Sequence, residues 1–364
     1  MTADPTQLMV RHIREIKTYE GVDPTEVLAQ QAGIPSEKVV RLNGNENPYG
    51  PSPRVAEALG AYPYYNQYPD PDQRRLRRVL ADYLQVEPDQ VVAGNGSDEL
   101  IDMVLRIFLE PGQKVIDPSP TFGMYRFCTA VCGGQSVSVP RDDSFEVDVE
   151  GIELVLDDDT RVVFLASPNN PTANLAREWQ VRRLLEKGLV VVVDETYHEF
   201  CGYTLVPQLK EYPNLIILRT FSKWAGLAGL RIGMGAMHPK LAQAMMGMKS
   251  PYNVNVAAEV ALMASLEDRE GLMSRVRSIV KERDRMFSLL EALPGVKPWP
   301  TQANFILTQL PQGRGRILFE GLARKGIFVR YFGGSRLEDF VRISVGLPHE
   351  TDALIAALKD LLEE

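Results

Sequence analysis

Five short runs rich in β-branched residues constrain this chain more than anything else in its 364 residues. VVRLN (39–43), KVIDP (114–118), RVVFLASP (161–168), LVVVVDE (189–195) and LIILRTFS (215–222) show almost no alternation of apolar with polar residues. A strand with one wet face alternates; a run that does not alternate needs cover on both faces. Helical patterns lie between the runs: SDELIDMVLRIFLEPG (97–112), with Ser97 as N-cap and Pro111-Gly112 as the stop, and LAREWQVRRLLEKG (175–188), ended by Gly188. Strand, helix, strand in succession predicts an α/β fold with a mostly parallel central sheet flanked by helices. In open sheets of this kind ligands bind beyond the carboxyl ends of the strands, so the residues just after each run are the ones to inspect.

From about residue 256 the pattern changes to long amphipathic helices such as 268–292, followed by short strands around GIFVRYF (326–332) and FVRISVG (340–346). This predicts a smaller α+β domain, built from residues 1–40 and 256–364, beside a large domain of residues 41–255. The first forty residues are helical and polar, are expected to pack on the smaller domain, and run into the turn-rich segment RLNGNENPYGPSP (41–53).

Composition narrows the function classes. A formal net charge of -8 and a pI near 5.3 argue against a nucleic-acid surface, which needs a basic footprint, but leave room for a few focused cations around a small anion. No run reaches the ~20 apolar residues of a membrane span. The opening MTADPTQLMVRHIREIK carries acids and lacks a secretory apolar core, which makes the cytoplasm the expected compartment. Cys128, Cys132 and Cys201 read as reduced thiols. No second Cys or His pair of suitable spacing accompanies Cys128 and Cys132, so no metal site is expected.

Four segments at strand ends carry candidate chemistry. The VVVV of LVVVVDE runs straight into Asp194, where a carboxylate facing a pyridine nitrogen would keep that nitrogen protonated; a helix cap or a solvated loop acid is the plain alternative. FSKWAGLAGLRIG (221–233) encloses one lysine, Lys223, among small and apolar residues, where desolvation lowers the pKa of an amine that attacks a carbonyl. Ser222 and Arg231 flank it as phosphate ligands. GNGSDEL (94–100) is a glycine turn opening a helix, either a phosphate cradle or an ordinary helix start. SPNNPTAN (167–174) is either a rigid turn or a mount for Asn170 against a ring oxygen. Their recurrence at successive strand ends of one sheet carries more weight than any of them alone.

Together these segments resemble the aspartate-aminotransferase superfamily of pyridoxal 5'-phosphate (PLP) enzymes of fold type I and, within it, the histidinol-phosphate aminotransferases. LNGNENPYGPSP (42–53), YPDP (68–71), PTFGMY (120–125), VVVDETYHEF (191–200), SPYNVN (250–255), ANFIL (303–307) and VRISVG (341–346) extend the likeness nearly end to end. The resemblance implies that Lys223 carries PLP as a Schiff base, that Asp194 pairs with the pyridine nitrogen, and that Asn170 and Tyr197 bond the phenolic oxygen. Phe122 would stack on the ring. Gly96, Ser97, Asp98, Ser222 and Arg231 would hold the cofactor phosphate, joined by Tyr68 from a second subunit, which implies a homodimer with shared sites. Arg342 and Arg330 would grip the substrate anion, and Tyr19 and Tyr252 would line its pocket. The reaction implied joins histidinol phosphate, as amino donor, to a 2-oxo acid acceptor; the rivals are an aromatic aminotransferase and a threonine-phosphate decarboxylase. In two places the chain departs from the family pattern. Ala173 replaces a glycine, with Asn174 beside it to relieve the turn, and Phe122 lacks the hydroxyl that many relatives carry.

Overall fold

Four of the five apolar runs lie side by side, in parallel, in the computed structural model, which describes residues 4–334 and 336–363. In chain order the strands are β1 (Val40–Leu42), β2 (Val91–Gly94), β3 (Lys114–Ser119), β4 (Gln135–Pro140), β5 (Thr160–Ala166) and β6 (Val190–Asp194), then β7 (Leu215–Thr220), β8 (Gly233–Ala236), β9 (Lys297–Pro298), β10 (Phe305–Gln309), β11 (Ile327–Tyr331) and β12 (Phe340–Ser344). A seven-stranded sheet has the order β2-β8-β7-β6-β5-β3-β4, and a five-stranded sheet the order β1-β11-β12-β10-β9. In the larger sheet β8 runs antiparallel to both neighbours and the remaining pairs are parallel.

Successive residues of the central strands feed opposite faces. Val192 and Phe164 join one apolar cluster, with Leu100, Ile101 and Leu105 of helix Ser97–Phe108, while Val191, Val193, Val163 and Leu165 join the other. All of these side chains are almost wholly buried, at about 1.5–3 kcal/mol for each large aliphatic side chain taken out of water. With both faces covered, the polar ends of β5, β6 and β7 are the parts of these strands left free to meet a ligand.

VVRLN departs from expectation. It forms β1, pairs in parallel with β11, and belongs to the five-stranded sheet. Val40 and Arg41 are only half-buried, as suits an edge strand, and an apolar run does not by itself name its partner. β2, β4 and β8 had no strand signature. β4 is an edge strand with a polar face, and β8 is GMGA, whose glycines have a packing reason. A Cβ on Gly233 would lie 2.6 Å from the Ser97 backbone nitrogen, so glycine lets β8 press against the start of helix Ser97–Phe108. That helix is capped by Gly96, with φ 79°, and not by Ser97, which is its first helical residue.

The first forty residues also divide. Segment Arg11–Arg14 lies against helix Met124–Val131 of the larger sheet, whereas Val40 donates to the Gly326 carbonyl beside the smaller one. At the other departure, Ala173 itself takes the left-handed conformation, with φ 61°, and Asn174 does not relieve it. That strain costs about 1–2 kcal/mol, and hydrogen bonds from Ala173 to Asn169 and from Gln302 to Ala173 hold the turn.

A buried ion pair braces the strand ends. Arg219 of β7 donates through Nε and Nη2 to Glu195 Oε2 at 3.0 and 2.8 Å, and the other carboxylate oxygen accepts the Leu205 N–H at 2.6 Å. Removing one partner strands the other charge in the interior. Arg219→Met is therefore expected to lower the unfolding free energy by about 3 kcal/mol, read as a fall in urea midpoint at unchanged slope.

Candidate active site

The carboxyl ends of β5, β6 and β7 and the start of helix Ser97–Phe108 open onto a cavity of about 590 Å³. Its wall includes Tyr19, Ser97, Asp98, Phe122, Asn170, Asp194, Tyr197, Ser222, Lys223, Arg231, Arg330 and Arg342. Gly96 flanks the wall. Tyr68 and Tyr252 lie outside it, stacked on each other with centroids 4.3 Å apart and exposed to 80% and 45%.

Lys223 follows β7 in a loop that passes close to residue 50. A Cβ on Gly226 would lie 2.6 Å from the Gly50 carbonyl carbon, so glycine is needed where the two loops cross. The Lys223 Nζ donates to the Gly44 carbonyl at 2.9 Å. Burial, and then the positive charge of Arg342, pull its pKa down to about 8. The amine is therefore neutral in about a tenth of molecules at pH 7 and in about half at pH 8, and the neutral form is the one that acts as nucleophile or proton acceptor.

Asp194 ends β6 and is buried, with both oxygens engaged. Oδ1 accepts from the Thr196 N–H at 3.0 Å and its hydroxyl at 2.6 Å, and Oδ2 accepts from the Tyr125 hydroxyl at 2.8 Å. Burial raises the pKa of this carboxyl, while the Thr196 and Tyr125 donors oppose the rise. Tyr125 escaped notice in the sequence, although it stands three residues after Phe122; it is fully buried and stacks on Phe164 at 4.6 Å. Phe122 packs edge-on against both Tyr125 and Tyr19.

The Tyr197 hydroxyl accepts from Asn45 Nδ2 at 2.9 Å, and burial pushes its pKa up to about 12. Asn45 was also missed. Inside NGNENP it reads as one more turn residue, yet it takes φ 52° and bonds Ser344 of β12, tying the 43–47 turn to the smaller sheet. Arg342 of β12 donates to Asn170 Oδ1 at 2.7 Å and to the Asn43 carbonyl at 2.5 Å, and its buried Nε has no partner among the described residues. Burial lowers its pKa to about 10, so it stays charged at neutral pH. Arg330 is directly opposite Arg342 in the β11–β12 register and holds the Glu20 and Gly21 carbonyls, next to Tyr19.

At the helix start Arg231, in the left-handed region with φ 55°, donates to Asp98 at 2.9 Å. Ser222 is buried beside Thr220. A Cβ on Gly96 would lie 2.5 Å from Arg231 Nη2, so the missing side chain is what lets the guanidinium lie against the helix start.

The model of the family described as Aminotransferase class I and II matches residues 37–358. The chain belongs to this family. This aminotransferase is 45% identical over 370 residues to the histidinol-phosphate aminotransferase of Roseiflexus castenholzii, covering 99% of its own length and 100% of that relative. It is 43% identical to the chloroplastic histidinol-phosphate aminotransferase 1 of Arabidopsis thaliana, over 96% of its own chain and 84% of the other. Among solved structures, the histidinol-phosphate aminotransferase of Sinorhizobium meliloti in complex with pyridoxal-5'-phosphate has a TM-score of 0.87 at 28% identity, covering 98% of this chain and 97% of that one.

The cavity of this aminotransferase fits PLP. At one end a helix start without a Cβ, a hydroxyl and a guanidinium suit a phosphate; at the other a buried carboxylate faces the cavity, and an amine of lowered pKa stands on the same wall. In the cofactor-free protein, the pH dependence of Lys223 modification by an amine-reactive reagent should have its midpoint at about 8. Arg342→Gln removes a positive neighbour and is expected to move that midpoint upward, as read by mass spectrometry of the modified peptide.

Proposed function

We propose that this PLP-dependent aminotransferase takes the amino group of histidinol phosphate and passes it to 2-oxoglutarate, yielding imidazole acetol phosphate and glutamate. The observation that carries the reading is the pair of arginines on adjacent strands, Arg330 and Arg342, at one wall of a cavity that has a separate set of anion-binding groups at Ser97, Ser222 and Arg231. Those groups serve the cofactor phosphate, and the arginines serve a second anion. The donor brings a phosphate and the acceptor brings carboxylates, so the two substrates take turns at the same guanidiniums and the kinetics are ping-pong. The relatives' shared name agrees with this substrate.

Bound in the cavity, PLP would supply an aldehyde carbon for the donor's amine and a ring able to draw electrons from the substrate Cα. Each residue has a part. Asp194, held between Thr196 and Tyr125, keeps its carboxylate toward the ring nitrogen and stabilises the positive charge there. Lys223, with its lowered pKa, takes the proton from Cα as a neutral amine and returns it one position away as an ammonium. Tyr197 and Asn170 would donate hydrogen bonds to the ring oxygen, and Phe122 would lie against the ring. Ser222, Arg231 and the Gly96–Asp98 backbone hold the phosphate, with Asp98 orienting Arg231. Tyr19 closes the substrate end beside Arg330.

The enzyme works as a homodimer. Tyr68 and Tyr252 form one exposed stack away from their own cavity, and in this reading both reach the cavity of the neighbouring subunit, Tyr68 at the cofactor phosphate and Tyr252 at the substrate.

Single-turnover mixing tests the assignment. Histidinol phosphate should convert the cofactor absorbance to that of its amino form far faster than phenylalanine does, and threonine phosphate should release no carbon dioxide. Lys223→Ala is expected to lower turnover by about 10³-fold or more while leaving the far-ultraviolet dichroism unchanged. Equal rates with phenylalanine would assign the site to aromatic donors.

A further inference from the structure

The stacked tyrosines stand on two segments that cannot pair through their backbones. YPDP (68–71) and SPY (250–252) contain Pro69, Pro71 and Pro251, which offer carbonyls and no N–H. Lys249 supplies the donors. It caps the end of helix Pro239–Met248, is buried to within 7% of full cover, and its Nζ donates to the carbonyls of Pro71 at 2.8 Å, Pro251 at 3.0 Å and Ser250 at 3.3 Å. An ammonium has three protons, and all three are spent on backbone oxygens. Among the described residues no carboxylate forms an ion pair with it. Burial lowers its pKa, opposed by the negative charges of Glu99, Asp72 and Asp70.

The clamped segments are also tied to the cofactor end of the cavity. Gln73, just past YPDP, donates to Asn253 Oδ1 at 2.9 Å and to the Ala93 carbonyl at 2.9 Å. Asn253 donates to Glu99 at 2.8 Å, and Glu99 accepts the Asn95 N–H at 2.6 Å, one residue before Gly96. A desolvated ammonium is a costly fastener for a surface loop. What it fastens is an aromatic pair whose outer member, Tyr68, is 80% exposed and has no role in its own cavity.

We infer that Lys249 is a positioning residue for the amino-group transfer: it clamps YPDP to SPY so that Tyr68 and Tyr252 enter the neighbouring subunit's site as one rigid unit. This rests on the dimeric reading given above. Without the clamp each tyrosine moves with its own loop, and the partner's cofactor phosphate and substrate lose contacts together.

Lys249→Met keeps the stem and removes every donor. The dimer should persist in sedimentation, while the cofactor dissociation constant, read by absorbance, and the KM for histidinol phosphate each rise about tenfold. Position across the interface is tested by reassorting subunits. Mixed dimers of Lys249→Met with Lys223→Ala contain one competent lysine facing an intact clamp on the partner, so activity should rise above that of Lys249→Met alone. Tyr68→Ala mixed with Lys223→Ala is the control for shared sites. If that control recovers activity and the Lys249→Met mixture does not, the clamp is wrong and the shared site stands. If neither recovers, or the protein sediments as a monomer, both fall. Unchanged cofactor affinity in Lys249→Met also overturns the clamp. Should Lys249→Met fail to fold, Lys249→Gln, which keeps two of the three donors on a shorter stem, enters the same measurements: smaller rises in both constants are expected, and no rise in either overturns the clamp.

Discussion

Strands β5 and β6 are covered on both faces, and this constraint places the chemistry. A polar side chain in the middle of either strand would be buried without a partner, so each strand delivers its functional group where its cover ends. Asp194 is the last residue of β6, and Lys223 stands three residues past the end of β7. The neighbouring Glu195–Arg219 pair then holds the two strand ends together with charge that is itself sealed from water. Rigid strand ends are what let one carboxylate and one amine face a shared space of fixed width.

The electrostatics of that space depend on partial desolvation shared among several groups. Lys223, Arg342 and Arg231 would repel one another in close quarters, and the repulsion adds to burial in lowering the Lys223 pKa. Asp98 and Glu46 temper it. Arg342 is held by an amide oxygen and a carbonyl, with Nε left over, so no acid among the described residues pairs with it. A guanidinium so placed keeps its charge for an incoming anion, whereas an ion pair within the chain would have to break first.

Two sheets meet at the cavity, and small polar residues join them. Asn45 reaches Tyr197 on one side and Ser344 on the other, while Arg342 reaches Asn170 and Asn43. These contacts tie the cavity wall formed by β11 and β12 to the wall formed by β5 to β7. The β1 strand reinforces the join, since the chain leaves the smaller sheet at Leu42 and enters the cavity lining at Gly44.

The order of apolar runs, the glycine turn before Ser97, and the placement of Asp194 at the end of its strand and of Lys223 just beyond its own were legible in the sequence, because each depends on neighbours within a few residues. Burial on both faces, helix starts and a lysine among small residues are local patterns with local causes. Tyr125 and Asn45 were not legible. Tyr125 meets Asp194 across 69 residues and Asn45 meets Tyr197 across 152, and a buried tyrosine or a turn asparagine carries no mark of a partner so far away. The same distance explains why VVRLN gave its strand type but not its sheet, and why the stack of Tyr68 on Tyr252 was invisible. Sequence alone determined that the five apolar runs become strands and that the chemistry lies at their carboxyl ends, since local sterics and apolar periodicity decide both. The tertiary structure decided which groups touch, how far each pKa moves, and which carbonyls Lys249 finds, because those depend on packing between segments that covalent order leaves far apart.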